Sequence, residues 1–278
     1  MDQTRLRSPD VYGRTFHLDE QTLGVMAARL EARGRHPFFQ QVIADYLAEL
    51  ALEGGARVLD LGCGTGVAAR SVARQAALRR PVLAIDISAH LVEAGRHLAE
   101  QEGLADRVEF RVGDAHALRL PEGGFDVVLM HTLISHVADP SAVLAEGRRL
   151  LRPGAGRLVV FDGDYASMTF ATDARDGGEA TDLAVQRGIV AQPRVMRAMP
   201  RLLAEAGLEL AWSRGYLMAD IGRMDFWQAG IASFRVLLPK AGVLPAEEAN
   251  AFVDALERAA AENRFFGASA FYAYLARR

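Results

Sequence analysis

The chain has a single cysteine, Cys63, so no intrachain disulfide is available, and a reducing, cytoplasmic compartment is the expectation that fits. Long apolar runs are missing too. No window reaches the roughly 18 uninterrupted apolar residues of a spanning helix, which predicts no membrane segment. Residues 1–14 are polar and lack the apolar stretch of a secretory signal. Neither sign of charge dominates: 32 Lys and Arg stand against 35 Asp and Glu, for a net charge of −3. The cluster Arg148, Arg149 and Arg152 is offset elsewhere, and no run of like charge suggests a polyanion-binding tail. Nucleic acid is therefore not the expected partner. Internal repeats and low-complexity linkers are also absent. What is present is apolar material, 50% of 278 residues, enough for one large domain or a core with a smaller cap.

Two helices are predicted first. In residues 19–33, Leu23, Met26, Ala27 and Leu30 recur at helical spacing, and Gly34 is a stop signal. Pro37 suits a first helical position, and Phe39, Ile43, Leu47 and Leu50 form one stripe up to Leu52. The pattern then changes to alternating strands and helices. Strands are predicted at 57–61, 82–86, 108–112, 125–130 and 157–161, with helices near 66–76, 89–101 and 141–151 between them. Strict alternation implies a mostly parallel sheet with right-handed crossovers. Runs such as Val127-Val128-Leu129-Met130 suit strands covered on both faces. Residues 163–192 read as an irregular excursion. Pro193 and Pro200 bracket a short helix ending near Gly207, followed by a strand at 208–218, helices near 224–239 and 245–262, and a strand at 268–277.

The sharpest local signal is Val58-Leu59-Asp60-Leu61-Gly62-Cys63-Gly64-Thr65-Gly66. A buried strand ends in a carboxylate, glycines alternate, and a helix begins. Such a turn lets a ligand touch bare backbone, and the helix start offers free N–H groups. The motif alone does not separate nucleotide classes. Two carboxylates sharpen it. Asp86 ends the second strand, 20 residues after Gly66, where it can accept from both hydroxyls of a ribose. Asp114, in Gly113-Asp114-Ala115 after the third strand, can accept from an adenine amino group. Together they describe an adenosyl site at the carboxyl ends of the strands.

The pieces Val58–Gly66, Val82–Ile87, Val112–Ala115 and Phe125–Val137 resemble class I S-adenosylmethionine (SAM)-dependent methyltransferases. The likeness is to the small-molecule type, which includes ubiquinone/menaquinone C-methyltransferases and many natural-product methyltransferases. It runs from about residue 50 to 162. The resemblance implies a Rossmann-like α/β sheet, mostly parallel with the last strand antiparallel, carrying helical cap additions at both ends. It implies SAM as cofactor, with Gly62 and Gly64 along its methionine part, Asp60 near its amino group, Asp86 on the ribose and Ile87 on the adenine. Asp114 and Ala115 would sit at the adenine edge and His131 beside the cofactor. Cys63, within the loop, counts among the cofactor residues as a packing side chain rather than a nucleophile.

Methyl transfer needs an aligned nucleophile, and a base only where that nucleophile must lose a proton. His131 and His136 flank the exit of the fourth strand and are the candidate bases. Asp162 and Asp164 leave the fifth strand toward the same rim and are candidate substrate contacts, with turn formation as the plainer role. A metal held by His131, Asp162 and Asp164 lacks a compact ligand signature, and none is expected.

Substrate choice is assigned to the cap. Its aromatic residues are Tyr12, Phe16, His17, His36, Phe38 and Phe39 at one end and Phe226, Trp227, Phe234, Phe265 and Phe266 at the other, with core packing as the alternative role. Phe226 and Trp227 are the chosen substrate candidates, and Arg194, with Arg197, is a candidate for a substrate carboxylate. The expected organisation is a helical cap over 1–52, a SAM-binding core over 53–162, and the rest of the sheet over 163–278 with a lid insertion at about 221–266. The expected function is methylation of a small organic acceptor at carbon, oxygen or nitrogen, in secondary or cofactor metabolism. SAM-dependent chemistry without methyl transfer, such as cyclisation, and a non-catalytic SAM-binding protein are the alternatives. A homodimer is allowed for, and the acceptor is left open.

Overall fold

The computed structural model describes residues 10–278, apart from the side chains of Arg14 and Phe16. The first nine residues of the polar N-terminal stretch and the Phe16 ring therefore lie outside the described residues. After a 3-10 turn, Tyr12–His17, come α1 (Glu20–Arg35) and α2 (Pro37–Leu50). The alternating part is β1 (Val58–Leu61), α3 (Val67–Ala73), β2 (Val82–Asp86), α4 (Ala89–Gln101), β3 (Val108–Val112), β4 (Val127–His131), α5 (Pro140–Leu150) and β5 (Arg157–Phe170). It is followed by α6 (Glu179–Ile189), α7 (Val195–Glu205), β6 (Glu209–Gly222), α8 (Trp227–Ala241), α9 (Ala246–Ala261) and β7 (Phe265–Arg277).

The strands form one sheet in the order β3-β2-β1-β4-β5-β7-β6. β1 to β5 pair in parallel, and β7 runs antiparallel between β5 and β6. The expected Rossmann-like α/β sheet with an antiparallel last strand is thus present. Period-2 alternation sends Val127 and Leu129 into the core on one face and Val128 and Met130 into the core on the other. Local chemistry sets the helix starts. Asp19 accepts from the Thr22 N–H at 2.9 Å, Asp139 from Ala142 at 3.0 Å, and Pro37 occupies the first turn of α2.

Three local readings are corrected. β5 does not end at Phe161 but continues to Phe170, because the long β7 supplies an antiparallel partner, with a register shift between Asp164 and Thr169. The residues read as irregular also contain α6, whose buried Asp182 accepts from the Phe170 N–H at 3.0 Å and ties the helix to the strand. Pro200 lies inside α7 rather than at its edge. Its missing N–H frees the Met196 carbonyl, which accepts instead from the Tyr274 hydroxyl at 2.9 Å.

Candidate functional site

The ends of β1, β2 and β4 open into a cavity of about 480 Å³. It is walled by the glycine turn, by Asp86 and Ile87, by residues 113–116, by the stretch from His131 to Ala138, and from above by α1 and the segment at Tyr12. Asp60, Gly62, Cys63, Gly64, Asp86, Ile87, Asp114, Ala115 and His131, predicted from separate stretches of chain, all line it.

The turn is held open by glycine. Gly62 has φ +72°, and a Cβ there would come within 2.4 Å of the Leu133 side chain. Gly66, with φ +81°, starts α3, where a Cβ would strike the Phe110 ring at 2.5 Å. The turn is then tied to the next strand: the Gly64 N–H donates to Asp86 Oδ2 at 2.7 Å, and the Ser88 N–H donates to Asp86 Oδ1 at 2.9 Å. Each carboxylate oxygen has a second lone pair for a ligand. Asp60 is fully buried. Its Oδ2 accepts from the Ala69 N–H at 3.0 Å, while Oδ1 has no partner among the described residues. Burial, with Asp86 nearby, pushes the Asp60 carboxyl up to about 7. Asp114 Oδ1 accepts from the His116 backbone N–H at 3.0 Å. The Cys63 thiol is pushed well above its usual range by burial, which suits a packing residue rather than a nucleophile.

The two histidines separate. His131 is buried, with Nδ1 3.2 Å from the Tyr46 hydroxyl. Burial, and to a lesser degree the Arg33 charge, holds its ring down to about 3. Such a ring stays neutral at working pH and accepts a proton poorly. His136 Nδ1 faces the buried Asp10 carboxylate, 3.1 Å from Oδ2. The His136 ring also packs on Tyr12 and Tyr165, with centroids 5.0 and 6.2 Å away.

The candidate substrate contacts lie outside this cavity. Asp162 is spent on backbone, accepting from the Ser135 N–H at 3.0 Å and the Gly163 N–H at 2.8 Å. It positions the loop that carries His136. Asp164 is neutralised by Arg197, which donates from Nε at 2.8 Å. Arg194 is exposed ahead of α7. Phe226 and Trp227 line a separate cavity of about 20 Å³ and belong to the aromatic packing between α8 and the sheet. The insertion between β6 and β7 is therefore a buttress, and the cover of the main cavity comes from Tyr12, α1 and the α6–α7 connection at Ile189–Gln192.

Among the residues that escaped the sequence reading as site residues are three of the wall, Tyr165 and the α1 residues Arg29 and Arg33, and Asp10 behind His136. The arginines did leave a signal. They fall three and seven positions after Met26, on the apolar stripe where a charge is out of place. Arg29 is 8% exposed and donates to the Tyr12 hydroxyl at 3.2 Å. Arg33 donates to Thr132 Oγ1 at 3.0 Å and lies 4.9 Å over the Phe39 ring. No group of three or more potential ligands arranged for a metal occurs among the described residues.

Residues 58–154 match the methyltransferase domain family. Over that stretch the chain is similar to methyltransferase domains. Over 163 residues it is 30% identical to the ubiquinone/menaquinone biosynthesis C-methyltransferase of Hahella chejuensis, an overlap covering 59% of this chain and 64% of that one. Over 153 residues it is 37% identical to an uncharacterized 37.1 kDa protein of a Streptomyces fradiae transposon, covering 55% of this chain and 43% of that one. Among solved structures, a protein of Bacillus halodurans C-125 described as a candidate methyltransferase superposes with a TM-score of 0.61 at 19% identity, covering 84% of this chain and 97% of that one. The last likeness concerns the fold. The chain spans about half the length of the curated relatives it matches. No helix among the described residues is long and apolar enough to cross a membrane.

Proposed function

We propose that the protein is an enzyme that binds SAM in the main cavity and transfers its methyl group to a small organic acceptor. The observation that carries this reading is the convergence of Asp60, Asp86 and Asp114 with the glycine turn on the cavity that also holds His136. The unpartnered, buried Asp60 Oδ1 suits an ammonium, the Asp86 oxygens a ribose diol, and Asp114 an adenine amino group. Arg33, beside Thr132 and the glycine turn, suits the carboxylate of the same ligand. SAM, when bound, supplies a methyl group on a sulfonium.

The chain's own part is alignment, exclusion of water and proton transfer. Tyr12, α1 and residues 189–192 close the cavity. His136, oriented through Nδ1 by Asp10, presents its other ring nitrogen as a base for an acceptor hydroxyl or acidic carbon. The function is placed in biosynthetic metabolism, in keeping with the ubiquinone-pathway names among its relatives. A cap over 1–52 and a core over 53–162 remain the proposed division of labour, and a soluble monomer or homodimer is the proposed working form.

Calorimetric titration with S-adenosylhomocysteine (SAH), the demethylated product, tests the reading. Binding by the parent chain is expected, and Asp86→Ala should weaken it by about 1–3 kcal/mol. A parent that binds no SAH, or a variant that binds it undiminished, removes the assignment.

A further inference from the structure

Two guanidinium groups enter the cavity from α1, and among the described residues neither has a carboxylate partner. They stand in different surroundings. Arg33 belongs to the β4 end: it donates to Thr132, next to Leu133, which packs on Gly62. Arg29 lies one helical turn earlier and belongs to the histidine end. It donates to the Tyr12 hydroxyl, and the Tyr12 ring packs against His136. Both arginines also reach the smaller cavity, whose wall includes Tyr165, Met168, Phe226, Trp227 and Phe271, so it is the Tyr12 and His136 contacts that set Arg29 apart. A buried cation without an anion is costly, because its desolvation is not repaid by a partner. Cation–π contacts with Tyr12 and Phe234, at 5.6 and 5.7 Å, repay only part of that cost.

We infer that the acceptor is a carboxylic acid with an apolar body, its carboxylate held by Arg29 beside the Tyr12 hydroxyl and its reacting group turned toward His136. The inference rests on the methyltransferase reading above, which leaves Arg29 as the cation not claimed by SAM. One guanidinium balances one carboxylate charge and matches its two oxygens; a phosphate monoester would leave a charge unmet at this single cation. Asp10, at the same end, faces the His136 ring and accepts from the Ala191 N–H. The apolar body has Tyr165 and Ile189 to pack on.

The test uses the full chain saturated with SAH. It is titrated calorimetrically with benzoate, 4-hydroxybenzoate and cinnamate, and in parallel with their primary amides, which keep the shape and lose the charge. The acids are expected to bind about ten- to a hundredfold more tightly than the amides. Arg29→Gln should erase that preference while SAH affinity stays unchanged, and Arg29→Lys should retain part of it. The inference is overturned if amides bind as well as acids, if none of the acids binds the SAH-loaded parent, or if Arg29→Gln keeps the preference. The comparison on the parent stands even where the glutamine variant fails to fold. Absent SAH binding is a separate outcome and removes the cofactor assignment instead.

Discussion

Asp10 and His136 are 126 positions apart in the chain, yet the aspartate Oδ2 lies 3.1 Å from the imidazole Nδ1. The same carboxylate accepts from the Ala191 N–H at 3.1 Å and the Tyr12 N–H at 2.8 Å. One buried acid thus gathers the N-terminal strap, the loop after β4 and the α6–α7 connection around one end of the cavity. It positions the ring and closes the site with the same two oxygens.

Replacing His136 by alanine is expected to lower kcat by about 10²–10⁴-fold while leaving SAH affinity intact. Asp10→Asn should show a smaller part of that loss, in kcat rather than in the KM for the acceptor. Steady-state kinetics on both variants, with SAH titrations as the binding control, checks this. An unchanged kcat in His136→Ala argues for catalysis by alignment alone.

Binding of SAM should be coupled to proton release at Asp60. Burial holds this carboxyl up to about 7 in the free protein. Pairing with an ammonium favours its ionised form, so below pH of about 7 the protein must lose a proton to bind. Affinity for SAM is therefore expected to rise as pH increases toward 7 and to level off above it. Titrations in buffers of different ionisation enthalpy measure the protons released. Asp60→Asn should abolish the release.

His131 should contribute to acid sensitivity. Its ring is held down to about 3 in the folded chain, against an ordinary value of 6.5. As pH falls below about 6.5 the unfolded chain takes up a proton that the folded one refuses, so stability declines from there toward pH 3. Urea denaturation at pH 7 and pH 5 should show a smaller decline in His131→Gln, which keeps a hydrogen-bonding atom for Tyr46. Equal declines in both proteins would discount this histidine.

Glu31 should hold the cap to the core. It accepts from Arg70 at 2.5 Å and from the Thr65 hydroxyl at 2.5 Å, inside the glycine turn. The side chains of Arg70 and Glu31 are 4% and 10% exposed. Glu31→Gln is expected to destabilise the fold toward the lower side of the roughly 3–5 kcal/mol typical of a broken buried pair, because Glu102 still pairs with Arg70. Chemical denaturation gives the loss, and a parallel fall in SAH affinity would report loosening of the turn.

The sheet and the cofactor side of the cavity were legible because their signals are local. β2, α4 and β3 fall where periodicity places them, over Val82–Asp86, Ala89–Gln101 and Val108–Val112. Asp60 is next to last in β1, Asp86 ends β2 and Asp114 follows β3, so topology alone brings them to one edge. The acceptor side was not legible in this way. Asp162 and Asp164 leave the right strand, but one is consumed by backbone N–H groups and the other by Arg197. Such partners come from distant segments and leave no spacing to read. β5 likewise outruns its apolar stretch because β7, about a hundred residues later, pairs with it.

The amino-acid sequence by itself determined the strand–helix alternation, the glycine turn and the three carboxylates at strand ends, since each depends on residues a few positions apart. Only the tertiary structure decided which histidine is oriented by an acid, because Asp10 meets His136 rather than His131. It also decided which arginines face the cavity. On α1 an apolar stripe is the default buried face, and Arg29 and Arg33 can occupy it because the fold opens a cavity there. Arg197, by contrast, is paired with Asp164. Local periodicity carries the scaffold; long-range packing assigns the charges on it.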